Sequence, residues 1–122
     1  MTEKLKLSHL INKYNISGLV ATNSTNNRDK LTIQESEIKD IGLGGLTGKP
    51  INSLSTRVIK YIHEKSSGSI PIIAVGGIMS VDDALAKIEA GASLIQLYTG
   101  FVYEGPALVK NINKAILKKI NQ

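Results

Sequence analysis

Two short glycine-containing segments, each directly after an apolar run, have the residue types that hold a phosphate group. Gly76 and Gly77 follow the run IPIIAV, and Tyr98, Thr99 and Gly100 follow the run SLIQL. If both runs are parallel strands, glycine at their ends allows positive φ and a close approach of backbone N–H groups to an anion. The spacing therefore predicts a phosphate site made by both segments. The alternative is that Gly76 and Gly77 form only a tight turn between a strand and a helix.

A cluster of polar side chains follows a third apolar run. The cluster contains Thr22, Asn23, Ser24 and Thr25, and an Asn side chain can both donate and accept hydrogen bonds. Hydroxyl and amide groups at the end of a strand suit a small polar substrate with carbonyl and carboxylate groups. The alternative is turn chemistry, because Asn and Ser side chains also stabilise turns.

A glycine-rich segment, GGLTGKP from Gly44 to Pro50, lies in a long polar stretch between Asn23 and Ser53. It differs from a P-loop, because Pro50 stands where that motif requires Ser or Thr. A connection of roughly 30 residues greatly exceeds the usual loop of about 4–6 residues, and such connections are usually functional or disordered. The segment is predicted to contact a ligand or to close over it, and the alternative is a flexible surface loop. A helical turn is expected within 33–41.

Acid–base and metal chemistry have no signature in the sequence. Glu35 and Glu104 are isolated acids, and no nucleophile or general base can be identified. His9 and His63 do not have the spacing of a metal motif such as HExxH, and the chain has no Cys, so no metal site is expected. The protein therefore either binds a ligand without chemistry or takes its base from a part that lies outside this sequence.

Apolar periodicity divides the chain into alternating helices and strands. Helices are predicted over 3–14, from 53 or 55 to 68, from 80 to 91 and from 106 onward, and strands over 17–22, 70–75 and 92–98. Ser80, followed by Asp82 and Asp83, resembles the start of a capping box. The order of elements predicts a parallel sheet with right-handed crossovers.

The number of strands is too small for the burial that their sequences indicate. All three strands have the apolar composition of strands buried on both faces, which three strands and four helices cannot supply alone. A TIM (β/α)8 barrel takes about 250 residues, and the chain has 122. We therefore expect an α/β fold that is the C-terminal portion of a TIM barrel, about three βα units, as one partial domain over 1–122. The phosphate site would then follow the last two strands, where such barrels commonly bind phosphate.

Charge and composition exclude several classes of protein. The net charge is +5, but the clearest basic group, Lys110, Lys114, Lys118 and Lys119, has the spacing of a solvated helix face. The chain has one Phe and no Trp, so it lacks the aromatic side chains on which the bases of single-stranded nucleic acid stack. No nucleic-acid partner is therefore expected. No stretch approaches the roughly 20 apolar residues of a membrane span, and no secretory signal is visible at the start.

Six segments, in this order, resemble the C-terminal third of class 2 (quinone-dependent) dihydroorotate dehydrogenase. They are GLVATNST from Gly18, GGLTGKP from Gly44, STRVI from Ser55, IPIIAVGGI from Ile70, DALAKIEAGASLIQLYTG from Asp83 and VYEGP from Val102. The similarity extends from about residue 17 to the end of the chain. GGI and AGAS occur in many flavin barrels, whereas the ordered set is specific. The endings LYTG and VYEGP favour class 2, because class 1 enzymes usually have Gly in place of Tyr98 and lack the EGP turn.

The resemblance implies a flavoprotein that binds FMN, oxidises dihydroorotate to orotate in pyrimidine biosynthesis and passes the electrons to quinone. It implies FMN contacts at Thr22, Gly48, Gly77, Tyr98 and Thr99, of which the last two would hold the phosphate. It implies dihydroorotate or orotate contacts at Asn23 and Ser24. Many relatives have Thr in place of Ser24, which keeps the hydroxyl.

The resemblance also implies which parts of the enzyme lie outside this sequence. The catalytic Ser base, a flavin-contacting Lys, further substrate Asn residues and the N-terminal helices that admit quinone would all come earlier. We therefore expect a fragment (a partial gene product, a truncated gene model or a split subunit) that is inactive alone and that associates with the N-terminal barrel part or with itself. The full-length family member is expected in the cytoplasm, peripherally associated with the cytoplasmic membrane. The alternatives are a non-catalytic half-barrel that binds FMN or phosphate, and another FMN-dependent TIM-barrel oxidoreductase.

Overall fold

Three short parallel strands form a sheet in the order β1-β2-β3, namely Leu19–Ala21, Ile72–Ala74 and Leu94–Ile95. The structure, a computed structural model, describes residues 6, 9–11, 13–29 and 31–122. Its helices are α1 (Glu35–Ile41), α2 (Asn52–Lys65), α3 (Val81–Glu89), α4 (Thr99–Glu104) and α5 (Pro106–Ile120), and a 3-10 turn over Lys49–Ile51 leads into α2. The parallel pairing and the alternating order confirm the predicted α/β sheet.

Some element boundaries differ from the predicted ones. Helix α1 occupies the expected helical turn, whereas α4, which begins soon after the third strand, was not predicted. Gly105, with a φ of 70°, ends α4, and Pro106 begins α5, which suits a residue with a fixed φ and no N–H. The predicted helix over 3–14 lies partly outside the described residues. Of its described members, residues 6, 9–11 and 13 are helical and residue 14 is in a turn.

One face of the sheet packs against α2 and forms the main apolar core. Side chains alternate between the two faces of a strand, and alternate residues of all three strands point toward α2. The core residues from these strands are Leu19, Ala21, Ile72, Ala74 and Ile95, and from α2 they are Val58, Ile59 and Ile62. Leu54, also on α2, is 43% exposed. A second cluster joins α3 to α5 through Ala84, Leu108 and Ile112.

The opposite face of the sheet is apolar and open. The strand register aligns Val20 with Ile73, and Ile73 with Leu94. Val20 is 55% exposed and Leu94 is 60% exposed. The helix-facing core thus covers only one face of β1 and β3, as expected from the shortage of elements that could bury both faces within this chain. We call Val20, Ile73 and Leu94 the open face.

The start of α3 is fixed by two side-chain bonds. The Asp83 N–H donates to Oγ of Ser80 at 3.1 Å, and the Met79 N–H donates to a carboxylate oxygen of Asp83 at 2.9 Å. These reciprocal bonds satisfy donors that the first turn of a helix leaves free. The predicted cap at Ser80 is confirmed, and it anchors the chain that enters α3 from β2.

The basic residues of α5 lie on its exposed side. Lys110, Lys114 and Lys118 are exposed, as predicted for a solvated face, while Lys119 forms an ion pair with Glu89 of α3. Within the ranges that the structure describes, no helix combines the length and the apolar character needed to cross a membrane.

We expect the isolated chain to self-associate, because the open face exposes large apolar side chains and β1 is at the edge of the sheet. Leu94→Glu should shift the chain toward monomer. Leu117→Glu, on α5, is a matched control because Leu117 is 59% exposed, and it should leave the association unchanged. Size-exclusion chromatography with light scattering measures the outcome. A wild-type monomer with a cooperative melt would contradict the prediction.

Candidate functional site

A cavity of about 440 Å³ lies at the carboxyl ends of the three strands. All seven residues assigned from the motifs line it: Thr22, Asn23, Ser24, Gly48, Gly77, Tyr98 and Thr99. Its volume falls within the range of about 300–1,000 Å³ typical of small-molecule and cofactor sites. The fold thus brings the predicted phosphate segments and the predicted substrate segment to one site. The ligand atom that each residue would contact stays a prediction.

Backbone hydrogen bonds continue past the strands and align the segments that line the cavity. The Thr22 N–H donates to the Val75 carbonyl at 2.7 Å, and the Val75 N–H donates to the Ala21 carbonyl at 2.6 Å. The Gln96 N–H donates to the Ala74 carbonyl at 2.8 Å. Because parallel pairing fixes the register of neighbouring strands, the three polar ends lie side by side at one edge of the sheet.

The Gly76–Gly77 turn packs directly against the first turn of α2. The two glycines have φ values of 118° and 72°, which side-chain-bearing residues rarely adopt. A Cβ on Gly77 would lie 2.4 Å from Cα of Asn52. The Asn52 side-chain amide donates to the Gly77 carbonyl at 2.6 Å, and Oγ of Ser55 donates to the Val75 carbonyl at 2.9 Å. The turn is therefore bare backbone, held from behind by α2.

The glycine-rich segment forms one wall of the cavity. Oγ1 of Thr99 donates to Oγ1 of Thr47 at 2.9 Å, which joins this segment to the start of α4. Gly48 is buried with a φ of 79°, and a Cβ there would lie 3.0 Å from Cγ2 of Thr99. These contacts favour the predicted ligand-side role over a flexible surface loop.

The substrate segment is more exposed and has fewer contacts. Oδ1 of Asn23 accepts hydrogen bonds from the N–H of Ser24 at 2.8 Å and from Oγ of Ser24 at 3.4 Å. The Asn23 amide oxygen thus takes part in the local turn chemistry that was the alternative reading. Two backbone bonds between Thr25 and Leu46, at 3.1 and 2.7 Å, hold this segment against the glycine-rich one.

Motif reasoning missed a buried lysine behind the Gly76–Gly77 turn. Lys87 of α3 is 0% exposed, and its ammonium donates to the Asn52 carbonyl at 2.9 Å and to Oγ1 of Thr56 at 2.7 Å. Burial lowers the pKa of Lys87 from 10.5 to about 8, although the nearby carboxylate of Asp83 acts to raise it. A signal was available in the sequence, because Lys87 comes three residues after buried Ala84 on the same side of α3. Asn52, Ser55, Thr47 and Gln96 were also missed.

Comparison with known sequences shows the family to which the chain belongs. The chain matches the dihydroorotate dehydrogenase family model over residues 1–120. A relative from Christiangramia forsetii is 50% identical over 115 residues, and one from Trichodesmium erythraeum is 51% identical over 117; both are named dihydroorotate dehydrogenase (quinone). They cover 94% and 93% of the chain, which spans only 33% and 31% of their own lengths. The resemblance to the quinone-dependent class is confirmed.

Comparison with solved structures gives the same result for the fold. The chain is similar to the ligand-free crystal structure of DHODH from Eimeria tenella, with a TM-score of 0.85 and 31% identity, and to the complex of that enzyme with ferulenol, with a TM-score of 0.84 and 32% identity. Both cover the whole chain, which spans about a third of each solved chain (33% and 32%). The prediction of a partial TIM barrel is confirmed.

The lowered pKa of Lys87 predicts that the stability of the chain depends on pH. Between pH 8 and pH 10.5 the unfolded chain holds more protons than the folded one, so the free energy of unfolding should rise with pH through this window. The gain should reach about 3 kcal/mol, on the scale of 1.36 kcal/mol per pKa unit.

Urea unfolding at pH 7 to 10.5 measures this effect as the difference between wild type and Lys87→Met. The variant lacks the titrating group, so wild type should gain stability relative to it as the pH rises. Lys60→Met is the control, because Lys60 is exposed on α2. A difference between wild type and Lys87→Met that stays constant with pH would contradict the prediction.

Proposed function

Because this chain belongs to the dihydroorotate dehydrogenase family, we propose that it is the C-terminal third of a quinone-dependent enzyme that oxidises dihydroorotate to orotate in pyrimidine biosynthesis. The observation that carries this proposal is the convergence of all seven motif residues on one cavity at the strand ends. The names of the relatives, dihydroorotate dehydrogenase (quinone), support the choice of substrate and electron acceptor.

The cofactor of this site is FMN. The fit rests on the Gly76–Gly77 turn, where a Cβ on Gly77 would meet the backbone of Asn52, so this stretch presents only backbone to a ligand. Thr99 and Tyr98 supply hydroxyl and backbone groups beside this turn for the FMN phosphate, while Thr22 and Gly48 contact the rest of the cofactor. Bound FMN would supply the two-electron acceptor between dihydroorotate and quinone.

The substrate is held at the part of the cavity that the segment after β1 lines. Asn23 and Ser24 lie on the exposed segment after β1, where an amide and a hydroxyl can pair with the carbonyl and carboxylate groups of dihydroorotate. An unpaired polar group in such a site costs about 1–3 kcal/mol. Asn23 and Ser24 therefore orient the substrate, and they transfer no proton.

The activity belongs to an assembled barrel. Among the described residues that line the cavity there is no carboxylate, imidazole or amine, so the general base comes from the partner part of the barrel. That part also covers the open face and supplies the quinone site. Because quinones reside in membranes, the assembled enzyme acts in the cytoplasm at the surface of the cytoplasmic membrane.

A second candidate is a flavin-binding partial barrel without catalysis. The same absence of an acid–base side chain from the described cavity lining favours it. The two candidates differ in one measurable property, which is turnover in the presence of the remaining barrel.

A chimera tests the proposed activity. This chain replaces the matching third of the Christiangramia forsetii relative, with which it shares 50% identity. The chimera should bind FMN and reduce quinone only when dihydroorotate is added. The isolated chain should show no turnover, since general acid–base assistance alone is worth about 10²–10⁴ in rate. A folded, FMN-loaded chimera without turnover would support the second candidate, and turnover by the isolated chain would contradict the need for an assembled barrel.

Two variants of the chimera test which end of the cavity binds which group. Gly77→Val should lose FMN, because a β-branched side chain opposes the positive φ and meets Asn52. Asn23→Ala should keep its FMN but bind dihydroorotate about 5- to 150-fold more weakly, as expected for about 1–3 kcal/mol. Gly42→Val is the matched control, because Gly42 also has a positive φ, of 82°, but it does not line the cavity and a Cβ there meets nothing within 4 Å.

The measurements are bound FMN per chain and steady-state kinetics. The control should match wild type in both. If Asn23→Ala lost its flavin while Gly77→Val kept it, the assignment of the substrate end and the phosphate end would be reversed.

A further inference from the structure

The cavity that we assign to a phosphate-bearing cofactor has no charged lining among the described residues. Its lining side chains are apolar, hydroxyl or amide groups. Lys49, next to the lining residue Gly48, is exposed and does not line the cavity. A phosphate group would therefore meet backbone N–H, hydroxyl and amide groups here, but no cationic side chain of the described residues in direct contact. A positive charge in a second layer behind the cavity would add to these contacts.

Lys87 supplies a charge in that second layer. Its side chain is fully buried, yet both of its hydrogen-bond acceptors, the Asn52 carbonyl and Oγ1 of Thr56, are neutral. Buried lysines are rare unless they are paired, and a buried charge without a partner is costly. Within the described residues Lys87 forms no ion pair, since the pairs found there are Lys60–Glu64 and Lys119–Glu89. The ammonium of Lys87 thus has no contacting anion among the described residues.

The position of Lys87 connects this charge to the turn. Its ammonium bonds the backbone carbonyl of Asn52, and the side-chain amide of the same residue bonds the Gly77 carbonyl at 2.6 Å. Oγ1 of Thr56 also donates to the Asn52 carbonyl, at 3.0 Å. Asn52 therefore links the Lys87 ammonium to the Gly76–Gly77 turn. Three groups bond to Asn52: the Lys87 ammonium, the Thr56 hydroxyl and the Gly77 carbonyl.

We propose that Lys87 is a positioning residue for the cofactor phosphate, which fixes the Gly76–Gly77 turn through Asn52 and places a positive charge behind it. This inference rests on the proposed function. The charge acts across a low-dielectric layer, where an electrostatic attraction is weakened less than in water. A phosphate bound at the turn therefore provides the anion that the buried ammonium lacks, and ligand binding offsets part of the cost of burying it.

The lowered pKa of Lys87 is consistent with this arrangement. Desolvation is the larger cause of the shift, and the attraction of Asp83 only partly opposes it. At neutral pH the group is still mainly protonated, since a pKa of about 8 lies above that pH. The charge is therefore present under conditions in which the enzyme would work.

The comparison of FMN with riboflavin tests the role of Lys87 in the chimera. Riboflavin lacks the phosphate, so a role at the phosphate affects only FMN, whereas a general loss of structure weakens both ligands. The dissociation constants follow from quenching of flavin fluorescence. We expect Lys87→Met to reduce the preference for FMN over riboflavin by about tenfold or more, equivalent to about 1.4 kcal/mol, with riboflavin affinity unchanged.

Asn52→Ala is the second variant. It tests the positioning of the Gly76–Gly77 turn while the positive charge of Lys87 is retained. It removes the side-chain bond to Gly77 but keeps the backbone carbonyl that accepts from Lys87. It should also lower the preference for FMN, although by less than Lys87→Met. Lys60→Met, an exposed lysine on α2, should leave the preference unchanged.

The outcomes distinguish this inference from the proposed function. A wild-type chimera that does not bind FMN contradicts the proposed function. A wild-type chimera that prefers FMN, with the same preference in Lys87→Met, overturns the inference, as does an equal loss of both flavins. If Lys87→Met does not fold, Asn52→Ala decides, because an unchanged preference in that variant also overturns the inference.

Discussion

The hydrogen bond from the Asn52 side chain to the Gly77 carbonyl, at 2.6 Å, is the constraint on which the cavity depends. A Cβ on Gly77 would lie 2.4 Å from Cα of Asn52, so the turn after β2 can approach α2 this closely only with glycine. The same helix packs Ile59 and Ile62 against the sheet. One element thus both completes the core and holds the backbone that faces the ligand, and loss of packing at α2 would displace the turn as well.

The glycine and polar motifs were predictable because they report local requirements. A strand that ends in two glycines needs backbone freedom at that point, and the φ values of 118° and 72° show why. Neighbouring parallel strands then bring such ends together, whatever the rest of the protein does. These local requirements and the family resemblance together identified seven of the residues that line the cavity, although they carry no information on the distances between them.

Other features could not be predicted, because they depend on what packs nearby. Lys87 is charged, so a search for apolar periodicity passes over it, and only the fold shows that α2 supplies its acceptors. The incomplete burial of the strands was expected, but only the fold shows which residues it exposes, namely Val20 and Leu94. Their apolar composition suits the inside of a closed barrel, which a chain spanning about a third of its relatives' length does not complete. Helix α4 was missed because its six residues are too few to show a helical period.

The two ends of the cavity differ in how much of their structure this chain provides. At the Gly77 end, side chains from α2 and α3 form a connected set of hydrogen bonds that includes the carbonyls of Val75 and Gly77. At the Asn23 end the side chains are exposed and their bonds are mainly local. Preorganised groups bind with a smaller loss of entropy than groups that must be ordered by the ligand. The structure of the proposed cofactor end is therefore largely a property of this chain, whereas the proposed substrate end depends more on the strands that would close the barrel.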